Sequence, residues 1–504
     1  MYFLFDKQDV LKIKILELME SRRQPIFTLS SLQRKFSSSA YIIKKTIEAL
    51  LYDIESFGLK EEIPLSFTLD GKSIFIPQSK KINLLELRNF YLEEAKNYVL
   101  LKRCFDENLK SYQQFSDEEY LNIETAFSMK KKLDKAFSDY DFEIDKNFHI
   151  VGDERMIRTF FYDLFHQYFS NVNYLYEQEL EDEAMELIAI ISPFLKEPFR
   201  KSQTLTFCYA YYITQHRMTH GHFLLHSKNK LAMLEEEKLE SDRLFGLILQ
   251  HLKKHCATFT DETGKKVEVP EDCMKSEAQS VLLYLYMMGF NPKDNKFHNF
   301  SWERRKQLSQ IVEIWEECYV DFFEKRLPSR IRRRLKRRLF AINLRLLYLY
   351  SPHYYIAENM RMLNFPVVIA FTAKVVDKMA KNFSQAEGDY LQLSNFLFQD
   401  YFYVFLETLP TKDILPEVYF MIDFQNSTRV THTKSFLNQK KYDNFIFTDD
   451  IEKADICLTD YLVVTDKPTI LVNWLNPPTN EDYLILYDLI NEIKVNKFLR
   501  HQHK

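Results

Sequence analysis

Leu29-Ser-Ser-Leu-Gln-Arg-Lys-Phe36, then Ser37-Ser-Ser39, then the run from Ala40 to Ile54 is the stretch on which the fold turns. The first eight residues read as a short amphipathic helix and the three serines as a turn. A longer helix beginning near Ala40 sets Ile43, Ile47, Leu50 and Ile54 on one face. Lys44 and Lys45 fall off that stripe. A helix that packs by one edge and shows lysines on the other can lie in a major groove, its ammonium groups meeting phosphates. Downstream, Leu65–Ile76 alternates apolar and polar residues around Asp70-Gly71. That is a hairpin signal through a type I′ turn, and a plausible wing.

The arrangement recurs. Thr125 is expected to cap a second helix, with Met129, Leu133 and Ala136 inward and Lys130, Lys131, Lys132 and Lys135 off the stripe. Phe142–Ile144 and His149–Val151 then supply two short strands. A long helix-forming stretch, Leu84 to Tyr112, joins the two units. Base readout would fall to Ser39, Tyr41, Lys44 and Lys45 in the first helix. In the second it would fall to Thr125, Ser128, Lys131, Lys132 and Lys135. Neither helix offers the Arg or Asn that best reads purines, so DNA shape and backbone contacts must supply much of the selectivity. The alternative is a pair of ordinary amphipathic helices with adjoining hairpins, which two matching copies make less attractive.

The whole chain, at 504 residues, is too long for one core. Eight glycines against 43 Phe and 30 Tyr favour helices and large side chains. A net charge of −4 excludes a uniformly basic coat, so any DNA contact must come from local patches. Met1–Phe5 is apolar but stops at Asp6, too short for a signal peptide. No apolar run approaches the length that spans a bilayer. Six scattered cysteines, none in a Cys-x-x-Cys pair, suggest a reducing cytoplasm. From about 165 to 405 the text is helical in period, with breaks at Ser192-Pro193, Asn291-Pro292, Leu327-Pro328 and Ser351-Pro352. After Leu409-Pro410 come strand-length runs at Val418–Phe424, Asn444–Thr448, Ile456–Thr459, Tyr461–Val464 and Thr469–Val472. Helical text at Thr433–Lys441 and Asp482–Phe498 completes a small α/β sheet with parallel pairing. Val463, Ile470 and Leu471 are expected in its core.

Directly after the second hairpin stands Ile150-Val-Gly-Asp-Glu-Arg-Met-Ile-Arg158. This resembles the hydrophobic-Gly-x-Glu-x-x-Ile-Arg junction of transcription regulators controlled by the sugar phosphotransferase system (PTS). With the domain order, the chain resembles the Mga family of Gram-positive virulence regulators, and within it the RofA-like branch. The resemblance implies a mainly α multidomain protein. Winged helix-turn-helix units would occupy 1–80 and 81–160, and helical domains similar to PTS regulation domains (PRD) 165–290 and 295–408. An α/β domain similar to the EIIB phosphocarrier would occupy 412–504. It implies a cytoplasmic regulator, usually an activator, that is not an enzyme and needs no cofactor. Its partners would be double-stranded promoter DNA, a second copy through the last domain, and PTS phosphocarrier proteins. The rival reading is a phosphotransferase component or phosphate-carrying sensor enzyme. Against it, the strand ending at Phe424 runs into Gln425–Val430 with neither the Cys nor the Gly of a phosphocarrier loop. Cys457 lies in a later apolar strand and reads as core.

The densest histidine cluster is His216, His220, His222 and His226. A phosphate acceptor needs an accessible imidazole flanked by cations, and Arg217 is adjacent. His220 and His222 are the first candidates, then His216; His353, after Ser351-Pro352, is the candidate in the second helical domain, with His298 another. The structural alternative is a His-rich helix end suited to the negative dipole terminus. His251-x-x-x-His255 puts two imidazoles on one face, but Leu252 stands where a His-Glu-x-x-His protease has Glu, and two lysines oppose a cation. No metal is expected. Lys325–Arg338 is a basic helix in which Ile331, Leu335 and Leu339 face inward. Its outer face reads as a second DNA-backbone contact, a docking face for an acidic surface, or a solvated face offset by Glu177–Glu186.

Overall fold

The computed structural model describes residues 1–22, 26–77, 84–168, 178–224, 233–261, 263–290, 299–348, 365–383, 387–409, 414–438, 444–463, 469–474 and 478–502. His226, His298, His353 and the breaks at Asn291-Pro292 and Ser351-Pro352 lie outside them. The chain forms two compact units, dividing at Arg304. The architecture is mainly α, as expected.

The first unit opens with α1 (Lys7–Arg22), β1 (Ile26–Thr28), α2 (Leu29–Phe36) and α3 (Ala40–Ser56), followed by β2 (Ser66–Phe67) and β3 (Ser73–Phe75). β1 and β2 flank β3 in an antiparallel sheet, Phe27 opposite Ile74 and Phe67 opposite Ile74. The hairpin forms, but not through a type I′ turn. Gly71 takes positive φ (66°) and Asp70 does not, so the chain reverses over Thr68–Gly71 with Gly71 N–H donating to Thr68 O at 2.8 Å. Lys12 is buried between Asp9 (2.9 Å) and Asp53 (2.6 Å), and ties α1 to α3.

The expected long helix at 84–112 is instead α4 (Leu85–Glu94) and α5 (Lys96–Phe105), separated by extended Ala95 at φ −70°, ψ 117°. Neither Pro nor Gly causes the break. Tyr91 and Leu92 on one side, and Leu100, Leu101, Cys104 and Phe105 on the other, do not share one face of a straight helix. Breaking at Ala95 buries both sets. Then come α6 (Tyr112–Glu118), α7 (Ile123–Phe137), β4 (Phe142–Ile144) and β5 (Ile150–Gly152), the last two antiparallel.

Helices α8 (Glu154–Tyr168), α9 (Gln178–Ile191), α10 (Lys201–Thr219), α11 (Glu236–Leu239), α12 (Arg243–His255) and α13 (Glu271–Met287) continue this unit. The text here reads as almost entirely helical, and β6 (Thr258–Thr260) and β7 (Lys266–Glu268) form a small hairpin, not anticipated, between α12 and α13. One apolar core runs from Leu4 through both hairpin-bearing segments to Tyr209, Tyr212 and Ile213 of α10.

Helix α14 (Trp302–Phe323) leads into the second unit, with α15 (Ser329–Tyr348), α16 (Pro366–Phe383) and α17 (Glu387–Thr408) around a core centred on Trp315, Val375 and Phe405. The α/β part holds β8 (Val418–Asp423), α18 (Ser427–Asn438), β9 (Phe445–Phe447), β10 (Ile456–Thr459), β11 (Ile470–Asn473) and α19 (Asn480–Gln502). The sheet order is β11-β10-β8-β9 and every pairing is parallel. Cys457 is buried in β10, as expected. Three expectations fail here. Helix α18 starts at Ser427 rather than Thr433. Tyr461–Val463 is not strand. Leu471 is 42% exposed because β11 is an edge strand with one solvated face.

Candidate nucleic-acid interface

Helices α2 and α3, and again α6 and α7, are each joined by a tight turn. In both turns a non-glycine residue takes the left-handed conformation two positions before the cap of the second helix. These are Ser37 (φ 48°) before Ser39, and Tyr120 (φ 55°) before Asn122. Such residues persist where the surroundings over-determine the backbone. Ser39 Oγ accepts from Ile42 N–H at 3.2 Å. Asn122 Oδ1 accepts from Thr125 N–H at 2.7 Å. The cap of the second helix is therefore Asn122 and not Thr125, which lies inside the first turn with its side chain exposed.

Counting from the true caps brings the two helices into register. Ile43, Leu50 and Ile54 correspond to Ala126, Leu133 and Phe137, all buried. Ile47 corresponds to Lys130. That lysine is not on the outer face: its side chain is 16% exposed and pairs with Asp134 at 2.8 Å. Met129 and Ala136, expected on the stripe, are half-buried at its edge.

The other expected DNA-facing residues are outward. Tyr41, Lys44 and Lys45 are exposed on α3, Lys44 within 3.8 Å of Glu48. Ser128, Lys131, Lys132 and Lys135 are exposed on α7. Thr125, Ser128 and Lys132 line an open concavity of about 360 Å³ together with Asn97. Burial pulls the Lys132 ammonium below its ordinary range. Exposed Ile42 and Tyr52 on α3, and Ile123 and Phe127 on α7, escaped the sequence reading. Apolar groups on a groove-facing helix suit thymine methyls.

The junction after β5 is a buried ionic joint. Gly152 sits at φ 144°, and a Cβ there would stand 2.5 Å from Asp141 O. Two residues on, Glu154 accepts from Arg217 (2.7 and 3.0 Å) and Arg158 (2.8 Å). Arg158 also donates twice to Glu277 (2.6 and 2.9 Å) and to His222 O (3.1 Å). Burial would raise the Glu154 carboxyl, but the two guanidiniums outweigh it and hold it near 2.

The histidine cluster belongs to this joint. Arg217 is 1% exposed and committed to Glu154 and Ile150 O, so it is not the phosphate-flanking cation expected from its position. His216 is stacked on Phe105 and hydrogen-bonded to Phe105 O at 3.0 Å; burial lowers it to about 4. His222 Nε2 meets Glu107. His220 Nδ1 meets the His216 carbonyl at 2.8 Å, which puts its lone pair on Nε2.

On α15, Ile331, Leu335 and Leu339 face inward as expected. Arg332, Arg338 and Arg345 pair with Glu316, Glu407 and Asp400. Arg330, Arg333, Arg334 and Arg337 share one exposed helix face and pair with no carboxylate among the described residues. In the α/β part, the loop after β8 is occupied by a carboxylate: Asp460 accepts from Gln425 N–H (3.0 Å) and Arg429 (3.2 Å). Among the described residues, no helix is long and apolar enough to cross a membrane.

Residues 80–165 match the family model of the Mga helix-turn-helix domain. The match takes in α4 to α7, the second hairpin and the Gly152–Arg158 junction, and leaves α1 to α3 outside. No curated protein matches the chain.

Proposed function

With that domain the chain belongs to the Mga family and is a DNA-binding regulator; from this premise we propose that it is a transcription activator of the RofA-like branch, acting at virulence or surface-protein promoters. The observation that carries the reading is the register of two capped helices, each with one buried stripe and one exposed face bearing lysines. Ser39, Tyr41, Lys44 and Lys45 contact one stretch of duplex. Thr125, Ser128, Lys131, Lys132 and Lys135 contact another. The winged units occupy 1–80 and 81–160, PRD-like domains 165–290 and 295–408, and the EIIB-like domain 412–504. The protein works in the cytoplasm.

Lys44→Ala with Lys45→Ala, and separately Lys131→Ala with Lys132→Ala, are expected to weaken DNA binding without unfolding. Each pair should also flatten the dependence of log affinity on log salt by about two counterions. Gel shifts across a salt series check this; unchanged affinity in both pairs would sink the interface.

The EIIB-like domain serves self-association. Support comes from an edge strand that exposes Leu471, with Leu462, Leu484 and Ile485 also exposed, and from Asp460 filling the loop a phosphate would need. Deleting residues after about 410 is expected to lower the oligomer order. Light scattering with and without the tail decides it.

Control by PTS phosphocarriers acts at His220. Its Nε2 carries a free lone pair, whereas His222 faces the Glu107 carboxylate and His216 is stacked on Phe105 with its Nε2 committed to Phe105 O. Labelled phosphoenolpyruvate with the general phosphocarriers should give an acid-labile label that His220→Ala removes. Absence of label would leave the helical domains as oligomerisation or ligand-sensing modules.

A further inference from the structure

Helices α9 and α12 bring Glu183 and Glu186 of one against His251 and His255 of the other. One nitrogen from each imidazole and one Glu186 oxygen lie within 4.8 Å of one another. His255 Nε2 is 3.0 Å from Glu186, and its Nδ1 is 3.1 Å from Glu183. His251 is 2% exposed, and its Nδ1 has no hydrogen-bond partner among the described residues.

The tautomer of His251 follows from its neighbours. The Tyr211 hydroxyl lies 3.2 Å from Glu183 and 3.2 Å from His251 Nε2. A carboxylate only accepts, and a hydrogen bond to it is the stronger one. Tyr211 therefore donates to Glu183 and accepts from His251. Nε2 then carries the proton, and the lone pair sits on the unpartnered Nδ1. A ligating histidine whose other nitrogen is fixed by a hydrogen bond is the usual arrangement around a protein-bound metal.

We propose that Glu186, His251 and His255 form a site for a divalent ion of the zinc class, bridging α9 and α12. Two imidazoles and a carboxylate are a borderline donor set, which selects zinc, cobalt or nickel over calcium or magnesium.

Neither Leu252 nor the two lysines rules out a metal here. The missing Glu of a His-Glu-x-x-His motif bears on proteolysis and not on binding. Of the two lysines, Lys253 is turned to Glu271 at 2.8 Å. Lys254 does compete, holding Glu186 at 2.8 and 3.0 Å. Its side chain is 60% exposed, and an exposed ion pair of this kind is weak enough for a divalent ion to displace.

The test is a Co²⁺ titration of the full chain, read by visible absorption and reversed with Zn²⁺; it does not depend on DNA binding. One tight equivalent is expected. His251→Ala and His255→Ala should weaken uptake about 100-fold and Glu186→Gln about 10-fold, with thermal unfolding showing that each variant is folded. Should buried His251 not tolerate substitution, the other two carry the test. Lys254→Ala should tighten uptake; weaker uptake in that variant would count against Glu186 as a ligand. Absence of Co²⁺ uptake, or isotherms of His255→Ala and Glu186→Gln that coincide with the parent, would overturn the proposal.

Discussion

Helices α3 and α7 are the same device loaded differently. In α3 the buried stripe is complete, and its lysines, Lys44 and Lys45, sit in the first turns after the cap. In α7 the position of Ile47 is taken by Lys130, folded onto Asp134, and the exposed cations Lys131, Lys132 and Lys135 lie toward the C-terminal half. The backbone geometry of the two turns is alike, while the charge has moved along the axis. In the proposed interface, phosphates would then be met near the start of one helix and near the end of the other, so the two units would enter the duplex to different depths at equal fold. The units also close differently. The first completes its sheet with β1, whereas the second keeps a two-stranded hairpin and closes on the helices behind it through Gly152 and Glu154.

The comparison breaks most sharply at Gly152. Substitution by Ala places a methyl against Asp141 O at a φ that side chains rarely adopt. A loss on the order of 4 kcal/mol is expected, greatest in the segment after α6 and felt through the shared core. Limited proteolysis should cut first around β4 and β5; first cuts in α1 to α3 would contradict it.

Acid should loosen the joint behind the second unit before the Lys12 cluster of the first. Burial depresses His216 to about 4, so its contribution is present above the unfolded value near 6.5. It is lost as pH falls from there toward 4, a change of about 3 kcal/mol. Glu154 is depressed to about 2, so its contribution is present above about 4.5 and fades as pH falls toward 2. Thermal unfolding against pH should fall below pH 6.5, and His216→Phe should flatten the first part of that fall. A parent profile flat between pH 7 and 4 would contradict the burial of His216.

The smallest effect is expected at Lys130→Leu, which gives α7 the stripe of α3. Exchange of a largely buried ion pair for packing changes stability by about 1 kcal/mol in either direction, because Asp134 still accepts from Ile144 N–H at 3.2 Å. DNA affinity should be unaltered. A loss like that of the Lys131/Lys132 pair would return Lys130 to the interface.

These distinctions mark where the sequence was readable. The α3 stripe, both hairpins and the parallel sheet rest on local periodicity, and local periodicity was sufficient. The α7 register was misread because Lys130 interrupts the apolar pattern, so Met129 looked like its first member and Thr125 like its cap. The asparagine that does the capping lies three residues earlier. The joint was invisible for another reason. Glu154, Arg217 and Glu277 are far apart in sequence, and only folding reveals that Arg217 serves Glu154 rather than a phosphate on a neighbouring histidine. The break at Ala95 carries no Pro or Gly and follows from two faces being buried in turn.

Met1–Phe5, read as an apolar stub too short for export, turns out to be packed inside. Leu4 and Phe5 are buried, Phe3 lies against Phe137 and Phe160, and Phe5 against Tyr168. In the order of translation these five residues leave the ribosome long before α7 and α8 exist to receive them. The contacts with Phe137, Phe160 and Tyr168 can form only once the chain has been made through Tyr168, so the start of the first hairpin-bearing segment is completed by the second. A bulky fusion joined directly at Met1 would press on the second unit, although it is attached to the first.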